Sequence, residues 1–341
     1  MPDNKKYLGM TVYEESGGNF SRVIEEKDLN ALPEGDVLIR VQYSSLNYKD
    51  ALSASGNKGV SRYYPHTPGI DAAGIIEEST APDLAPGDEV ICMGYDLGMN
   101  TSGGFGQYIR VPDNWVIPKP SSLTLKETMQ IGTAGFTAAQ CLLAFEENNV
   151  LPSNGPVLVT GATGGAGLIS CMLLVQLGYE VHALTGKTDQ SPLLKELGVS
   201  KVHDRSLGME GSDKLLLKAR WAGAVDSVGG QVLANVIKSM QYDGVVTSFG
   251  NAMSADLPLN VYPFILRGVH VVGIYSAECP MERRKTVWKR LASDLYPKKL
   301  EQICSSVTLE KVSEAIEQML AGKLVGRKLV EVDNELSAHL D

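Results

Sequence analysis

The stretch Val157-Leu-Val-Thr-Gly161-Ala-Thr-Gly164-Gly-Ala-Gly167 decides the fold of this chain. Its apolar start, Val157–Gly161, is typical of a buried strand, and the glycines open a helix that we predict over Gly165–Leu177. Glycine permits a tight turn, and a helix N-terminus offers free N–H groups and a positive dipole end to a pyrophosphate. The GxxGxxG spacing departs from the usual GxGxxG. The stretch therefore indicates a dinucleotide site, and the alternative is a glycine turn that only packs helix on strand.

Strands and helices alternate downstream of this motif. The predicted elements are strand Glu180–Leu184, helix Pro192–Leu197, strand Ala222–Asp226, helix Gln231–Met240, strand Gly244–Phe249 and strand Val269–Ile274. Such alternation requires a parallel sheet with helices on both faces. The sequence thus predicts an α/β fold whose central part is a doubly wound, parallel-sheet Rossmann domain.

The two ends of the chain follow a different pattern. Short candidate strands bounded by Gly, Pro and Asp occur at Tyr7–Tyr13, Val37–Ser44, Glu89–Gly94 and Gln107–Val111. The pattern changes at a helix predicted over Leu125–Ala144, and the tail ends with helix Leu309–Ala321 and strand Lys328–Val332. We therefore expect a mostly β domain formed by residues 1–125 and 295–341, and a Rossmann domain formed by residues 126–294.

Composition excludes several classes of protein. With 43% hydrophobic and 21% charged residues among 341, the chain has the balance of a soluble globular protein. The net charge of -9 argues against a nucleic-acid partner, and it requires a local cationic pocket for any anionic ligand. Residues 1–30 lack the pattern of a signal peptide, and no apolar run is long enough to span a bilayer. We therefore expect a cytoplasmic protein. The five cysteines include no CxxC pair, so neither a disulfide framework nor a zinc knuckle is expected.

The end of the second Rossmann strand predicts the cofactor. An NAD site usually places an acid there, about 20 residues beyond the glycines, to hold the ribose diol. This chain has Thr185-Gly186-Lys187 at that point, and Arg205 follows the third strand. A hydroxyl, an open amide and a cation suit the 2′-phosphate of NADPH, and Arg205 could add a second cation or stack on the adenine. The alternative is that Lys187 is a solvated surface lysine. In this interpretation the pyrophosphate lies on Thr163, Gly164, Gly165 and Ala166.

At this point the chain resembles the medium-chain dehydrogenase/reductase superfamily, and within it the zinc-free quinone oxidoreductase and acryloyl-CoA reductase group. The segments that carry the resemblance follow the family's order along nearly the whole chain. They are Ser44-Ser-Leu-Asn-Tyr-Lys-Asp50, Pro68-Gly-Ile-Asp-Ala-Ala-Gly74, Gly132-Thr-Ala-Gly-Phe-Thr-Ala138, Asp226-Ser-Val-Gly-Gly230, Pro263-Phe-Ile-Leu-Arg-Gly268 and Gly326-Arg-Lys328. The resemblance implies a GroES-like catalytic domain built from both chain ends, and a homodimer formed through the Rossmann sheets.

The resemblance also bears on metal chemistry. Zinc-dependent relatives have a cysteine at the position of Asn47 and a histidine at that of Ile70, beside the acid Asp71. They also carry a cysteine-rich lobe, which is missing before Gly103. Isoleucine cannot ligate a metal, so no zinc Lewis acid is expected to polarise an alcohol. The acceptor should therefore be electron-poor already, as quinones and α,β-unsaturated carbonyls are.

Further site residues come from the same resemblance. Asn47 and Tyr48 are predicted to line the nicotinamide, with Asn47 donating to the acceptor carbonyl and Tyr48 or solvent supplying a proton; both could instead be structural. Arg62 is predicted to bind an acyl-CoA phosphate or to pair with a surface acid. Asp50 is expected to cap the following helix. Residues predicted to face the cofactor are Thr137, Phe249, Asn251, Ser276 and, reaching the pyrophosphate, Arg327.

Three functions fit these features. The first is an NADPH-dependent enoyl reductase of the acryloyl-CoA type, acting on a small-molecule or acyl-CoA acceptor. The second is a general quinone or enone reductase without a CoA site. The third is a non-catalytic, crystallin-like protein that only binds NADPH.

Overall fold

A computed structural model of the chain describes residues 5–333. Its strands are β1 (Lys6–Glu14), β2 (Phe20–Asp28), β3 (Val37–Leu46), β4 (Asp71–Ser79), β5 (Glu89–Met93), β6 (Tyr108–Val111), β7 (Val116–Pro118), β8 (Val157–Thr160), β9 (Val181–Thr185), β10 (Lys201–Asp204), β11 (Trp221–Asp226), β12 (Met240–Ser248), β13 (His270–Gly273), β14 (Cys304–Thr308) and β15 (Arg327–Glu331). Its α-helices are α1 (Tyr48–Ser53), α2 (Leu125–Glu147), α3 (Gly165–Gln176), α4 (Ser191–Glu196), α5 (Gly230–Lys238), α6 (Tyr262–Arg267), α7 (Met281–Leu291), α8 (Leu300–Ile303) and α9 (Val312–Leu320).

The chain divides into two compact units. Unit 1 comprises residues 1–133, 277–292 and 304–341, and unit 2 comprises residues 134–276 and 293–303. Described residues from the N-terminal and C-terminal parts of the chain thus belong to one unit. The expected domain borders at residues 125 and 295 stay predictions. Helix α2 contributes its first part to unit 1, and α7 belongs there as well.

Unit 2 is built on a six-stranded parallel sheet with the order β10-β9-β8-β11-β12-β13. The predicted doubly wound sheet is confirmed. Every residue of β8, β9 and β11 is buried, since helices cover a parallel sheet on both faces. The strand order reverses between β8 and β11, and ligands bind at such switch points beyond the carboxyl ends of the strands.

Unit 1 is mostly β, in agreement with the prediction. Its seven-stranded sheet has the order β14-β15-β3-β4-β5-β7, and β6 pairs with β3 outside this path. The sheet is antiparallel except for the parallel pair β14 and β15. Strands β1 and β2 form a separate antiparallel hairpin. Strand β15 pairs with β3, so the C-terminal segment lies beside the strand that leads into α1.

Helix α2 is broken at Gly132, which has φ 49° and ψ -160°. A Cβ atom at this residue would lie 2.5 Å from Nη2 of Arg327 and 2.7 Å from Oδ2 of Asp71. Only glycine combines this left-handed backbone with so close an approach. The predicted continuous helix over Leu125–Ala144 is therefore two helical segments that meet at a polar cluster in unit 1.

Candidate functional site

The turn between β8 and α3 in unit 2 has the shape that a pyrophosphate requires. Gly161 has φ 58°, and a Cβ atom at Gly167 would lie 2.4 Å from the carbonyl oxygen of Gly161. Helix α3 starts after Gly164, which has no side chain to cap the first turn. The N–H groups of that turn are therefore available to an anion. Sequence motif and geometry agree at this point.

Thr163 and Thr185 meet where β9 ends. Their hydroxyl oxygens lie 2.9 Å apart, and Oγ1 of Thr185 accepts a hydrogen bond from the backbone N–H of Lys187 at 3.0 Å. These contacts join the glycine turn after β8 to the segment after β9 that is predicted to bind the 2′-phosphate on the ribose. The Lys187 ammonium is half-buried, and this burial lowers its pKa. A neighbouring anion would favour its charged form.

Gly186 makes room for Arg205. A Cβ atom at Gly186 would lie 2.5 Å from Nε and 2.7 Å from Cζ of Arg205, so the guanidinium packs directly on the glycine. Arg205 itself is exposed and follows β10, which pairs in parallel with β9. The structure thus brings together Thr163, Thr185, Gly186 and Arg205, and the result is a hydroxyl-lined, cationic corner.

The other residues predicted to face the cofactor lie on several elements of unit 2. Thr137 is buried in α2. Phe249 and Asn251 follow β12, and the N–H of Phe249 donates to the carbonyl of Asp226. Ser276 follows β13. Phe249 lies at the carboxyl edge of the sheet, as a cofactor contact would require, and the roles of all four remain predictions.

In unit 1, Asn47 precedes α1 and Tyr48 is its first residue. The Tyr48 side chain is 48% exposed, whereas Asn47 is buried. Asp50 accepts from the backbone N–H of Asn47 at 2.7 Å and from that of Ile70 at 2.8 Å. Asp50 therefore caps α1 from within the helix, which supports the predicted capping role. Burial, with a smaller effect of the Asp71 charge, raises the pKa of Asp50 to about 7.

The amide of Asn47 is already engaged. Its Nδ2 donates to Asp71 Oδ2 at 2.8 Å and to the carbonyl of Ser45 at 3.2 Å, and its Oδ1 accepts from Arg327 Nη1 at 3.1 Å. An amide nitrogen has two hydrogens, and both are used. The predicted donation from Asn47 to an acceptor carbonyl is therefore not supported, and Tyr48 is the exposed polar side chain of the pair.

Asp71 is the centre of a buried hydrogen-bond network. Besides Asn47, its carboxylate accepts from the Ser45 hydroxyl at 2.5 Å, and from the N–H and hydroxyl of Thr133 at 2.9 and 2.6 Å. The guanidinium of Arg327 lies 4.0 Å away. Sequence reasoning missed this network. The available signal was that its members fall in four of the segments that carry the family resemblance.

Arg327 does not have the surroundings predicted for it. It is buried in unit 1, and its nitrogens donate to Gln130 O (3.1 Å), Leu46 O (3.3 Å), Asn47 Oδ1 (3.1 Å), Ser45 Oγ (2.7 Å) and Met129 O (3.4 Å). These partners occupy the whole fork of the guanidinium. The contacts give no support to the predicted reach toward a pyrophosphate and assign Arg327 to the Asp71 network.

Arg62 lies on an exposed loop beyond α1. Its backbone N–H donates to Asn100 Oδ1 at 3.0 Å, and the next residue, Tyr63, is 73% exposed. Tyr64 fastens the loop, since its hydroxyl donates to the carbonyl of Ser53 at 2.7 Å. The loop therefore carries two consecutive exposed residues, an arginine and a tyrosine, on an anchored backbone.

The residues present do not suit a catalytic zinc ion. Asn47 and Ile70 stand where two ligands would be needed, and Asp71 is held by hydrogen-bond donors. Across residues 5–333, no group of three or more His, Cys, Asp or Glu side chains is arranged to hold a metal ion. Over the same residues, no helix is both long and apolar enough to cross a membrane.

Comparison with known proteins agrees with this description. Residues 33–121 match the alcohol dehydrogenase GroES-like domain, and residues 165–293 match the zinc-binding dehydrogenase domain. The chain is 39% identical over 320 residues to acrylyl-CoA reductase AcuI of Ruegeria pomeroyi, covering 94% of this chain and 97% of that protein. It is 45% identical over 302 residues to YhfP of Bacillus subtilis, named "Putative quinone oxidoreductase", covering 88% and 92%.

Solved structures show the same fold over 96% of the chain. The yhdH oxidoreductase from Salmonella enterica in complex with NADP has a TM-score of 0.92 at 38% identity, covering 96% of this chain and all of that one. The YhfP structure, with NAD bound, has a TM-score of 0.93 at 42% identity, covering 96% and 100%. The predicted GroES-like and Rossmann pair is confirmed. The chain belongs to the medium-chain dehydrogenase/reductase superfamily, within the group of quinone oxidoreductases and acrylyl-CoA reductases.

Proposed function

We propose that this chain is a cytoplasmic, zinc-independent oxidoreductase that uses NADPH to reduce an activated double bond, with an acryloyl-CoA-type enoyl thioester as the preferred acceptor. The observation that carries the proposal is the cationic corner of Thr163, Thr185, Gly186 and Arg205 beside the glycine turn, to which Lys187 is joined through its backbone N–H. The bound cofactor supplies a hydride. The chain's own groups hold the two substrates and stabilise charge on the acceptor oxygen.

The preference for NADPH over NADH is proposed from the charges at the end of β9. The relatives differ here, since yhdH was solved with NADP and YhfP with NAD. At the end of β9 this chain has Thr185, Gly186 and Lys187, with no acid to hold a free ribose diol. A 2′-phosphate placed there would gain a charge-assisted bond, which is about twice as strong as a neutral one.

The proposed acceptor follows from its need to be electron-poor and from the residues available to bind it. With Ile70 and Asn47 in place of metal ligands, this chain has no Lewis acid to activate an alcohol, so the acceptor must be electron-poor. Tyr48, which is exposed on the first turn of α1, is our candidate donor to the acceptor oxygen. Arg62 and Tyr63 would bind the phosphate and the base of the acyl carrier.

An acceptor screen tests the proposal. Purified protein is mixed with NADPH and either acryloyl-CoA, a free enone or a small quinone, and the absorbance of NADPH is followed. We expect the highest kcat/KM with acryloyl-CoA. A larger value for the quinone would support the general quinone reductase, and tight NADPH binding without turnover of any acceptor would support the non-catalytic alternative.

We further propose that the protein is a homodimer formed through the Rossmann sheets. Strand β13 is an edge of the six-stranded sheet, so in the described sheet one side of its backbone has no neighbouring strand. Helix α6 leads into it and exposes Phe264, Ile265 and Leu266, and Val271 of β13 is also exposed. An apolar edge of this kind favours pairing with a second copy.

A further inference from the structure

We propose that Arg327 is a positioning residue. Together with Asp71 it fixes Asn47 and thereby the first turn of α1, so that Tyr48 is held toward the acceptor. The inference rests on the proposed function, because it assigns Tyr48 to the acceptor. It concerns residues that make no direct contact with the reacting atoms.

The network holds Asn47 at both ends of its side-chain amide. Arg327 donates to Asn47 Oδ1 at 3.1 Å, and Asp71 accepts from Asn47 Nδ2 at 2.8 Å, so both ends of the amide are held by charged partners. Arg327 also donates to the carbonyl of Leu46 at 3.3 Å. Two consecutive residues before α1 are therefore fixed by one guanidinium.

Asn47 is in turn hydrogen-bonded to the first turn of helix α1. The N–H of Asn47 donates to Asp50 at 2.7 Å, and the carbonyl of Asn47 accepts from the N–H groups of Asp50 and Ala51 at 3.0 and 3.3 Å. Helix α1 has only six residues, so it depends on its ends and on packing more than a long helix does. Tyr48 directly follows Asn47 and is the first residue of this turn.

The network is charged and buried, since Arg327 and Asp71 are 3% and 0% exposed. Asp71 accepts hydrogen bonds from Ser45 and Thr133, and Arg327 donates to Gln130 and Ser45. Replacing such a pair by apolar side chains is often neutral or stabilising, so stability alone is weak grounds for keeping it. Geometry is a better reason, because an arginine fork fixes several acceptors at defined angles.

The test begins with Arg327→Lys, which keeps the charge but replaces the fork by a single nitrogen. We expect kcat/KM for the acceptor to fall roughly ten- to a hundred-fold, the range expected when a reacting group is misplaced by about 1 Å. The Kd for NADPH should stay within about twofold, since the residues proposed to bind its pyrophosphate and 2′-phosphate lie in unit 2. Amide hydrogen exchange of residues 48–54 should accelerate.

Arg40→Lys is the matched control. Arg40 lies on β3, the strand that leads to Asn47, and it donates to Glu77 at 2.8 Å and to Asp333 at 3.0 Å. Neither partner belongs to the Asp71 network, so neither kcat/KM nor exchange in α1 should change. If Arg327→Lys fails to fold, Arg327→Met combined with Asp71→Asn removes both charges and leaves no unpaired carboxylate. The double variant should show the same loss toward the acceptor.

The outcomes separate the inference from the function on which it rests. An Arg327 variant with wild-type kcat/KM and wild-type exchange in α1 would overturn the inference. Equal losses in NADPH binding and acceptor turnover would also overturn it, because they indicate a general folding role. If the wild type reduces no acceptor, the proposed function fails, while the exchange comparison still decides whether Arg327 fixes α1.

Discussion

At the residue scale, cofactor preference depends on Lys187. Replacing it with alanine should weaken NADPH binding roughly ten- to a hundred-fold if the charge-assisted contact is worth about 1.5–3 kcal/mol. NADH lacks the phosphate, so its KM should scarcely change. Arg205 packs on Gly186 beside this corner, and the double variant Lys187→Ala with Arg205→Ala should lose more. Steady-state kinetics with both cofactors measure this, and a Lys187→Ala variant that loses both equally would remove the site.

Asp50 makes stability depend on pH. Its pKa is raised to about 7 in the folded state, against about 4 in an unfolded chain. Below about pH 4 both states hold the proton, so there is no contribution. Between about pH 4 and 7 the unfolded state releases the proton first, so the free energy of unfolding falls as pH rises, by at most about 1.4 kcal/mol per pH unit. Above about pH 7 the contribution is constant.

Urea unfolding of the wild type and of Asp50→Asn over this range isolates the effect, since groups common to both proteins cancel. We expect the wild type to lose stability relative to the variant as pH rises. The opposite trend would mean that the two N–H donors from Asn47 and Ile70 outweigh burial and hold the carboxylate charged.

At the scale of the element, substitution of Gly132, where α2 is broken, should destabilise the protein. Gly132→Ala places a Cβ atom in a left-handed conformation and within 2.5 Å of Arg327. Gly178→Ala is the control, because Gly178 has φ 85° but no atom within 4 Å of the added Cβ. The control should cost about 1 kcal/mol from backbone strain alone, and Gly132→Ala should cost clearly more. Similar losses in thermal unfolding would show that the network tolerates the intrusion.

At the scale of the whole molecule, the proposed dimer predicts a mass near twice that of the chain in light scattering coupled to size exclusion. Ile265→Asp puts a charge on an apolar face that is 68% exposed in the described chain, so it should shift the protein toward the monomer. Leu151→Asp, at a residue 53% exposed on a loop after α2, should leave the mass unchanged. A monomeric wild type would contradict the proposal.

Local sequence was sufficient for some of the architecture. The parallel strands β8, β9 and β11 were predictable because continuous apolar runs mark strands buried on both faces. Strands β2 and β4 were not predicted. The sequence of β2 is rich in charge because most of its residues are only half-buried. Strand β4 begins Asp71-Ala-Ala-Gly74, and Asp, Ala and Gly give a weak strand signal.

The sequence by itself determined the glycine turn and the cationic residues that follow β9, because these features need only neighbours close in the chain. Only the tertiary structure decided which partners Asn47 and Arg327 bind. These residues are 280 positions apart in the chain and meet only because β15 pairs with β3. A motif shows that a donor is present, but it does not show which acceptor will use it. Since a buried polar group must be satisfied by whatever the fold brings near, Asn47 became part of an internal network and Tyr48 was left exposed.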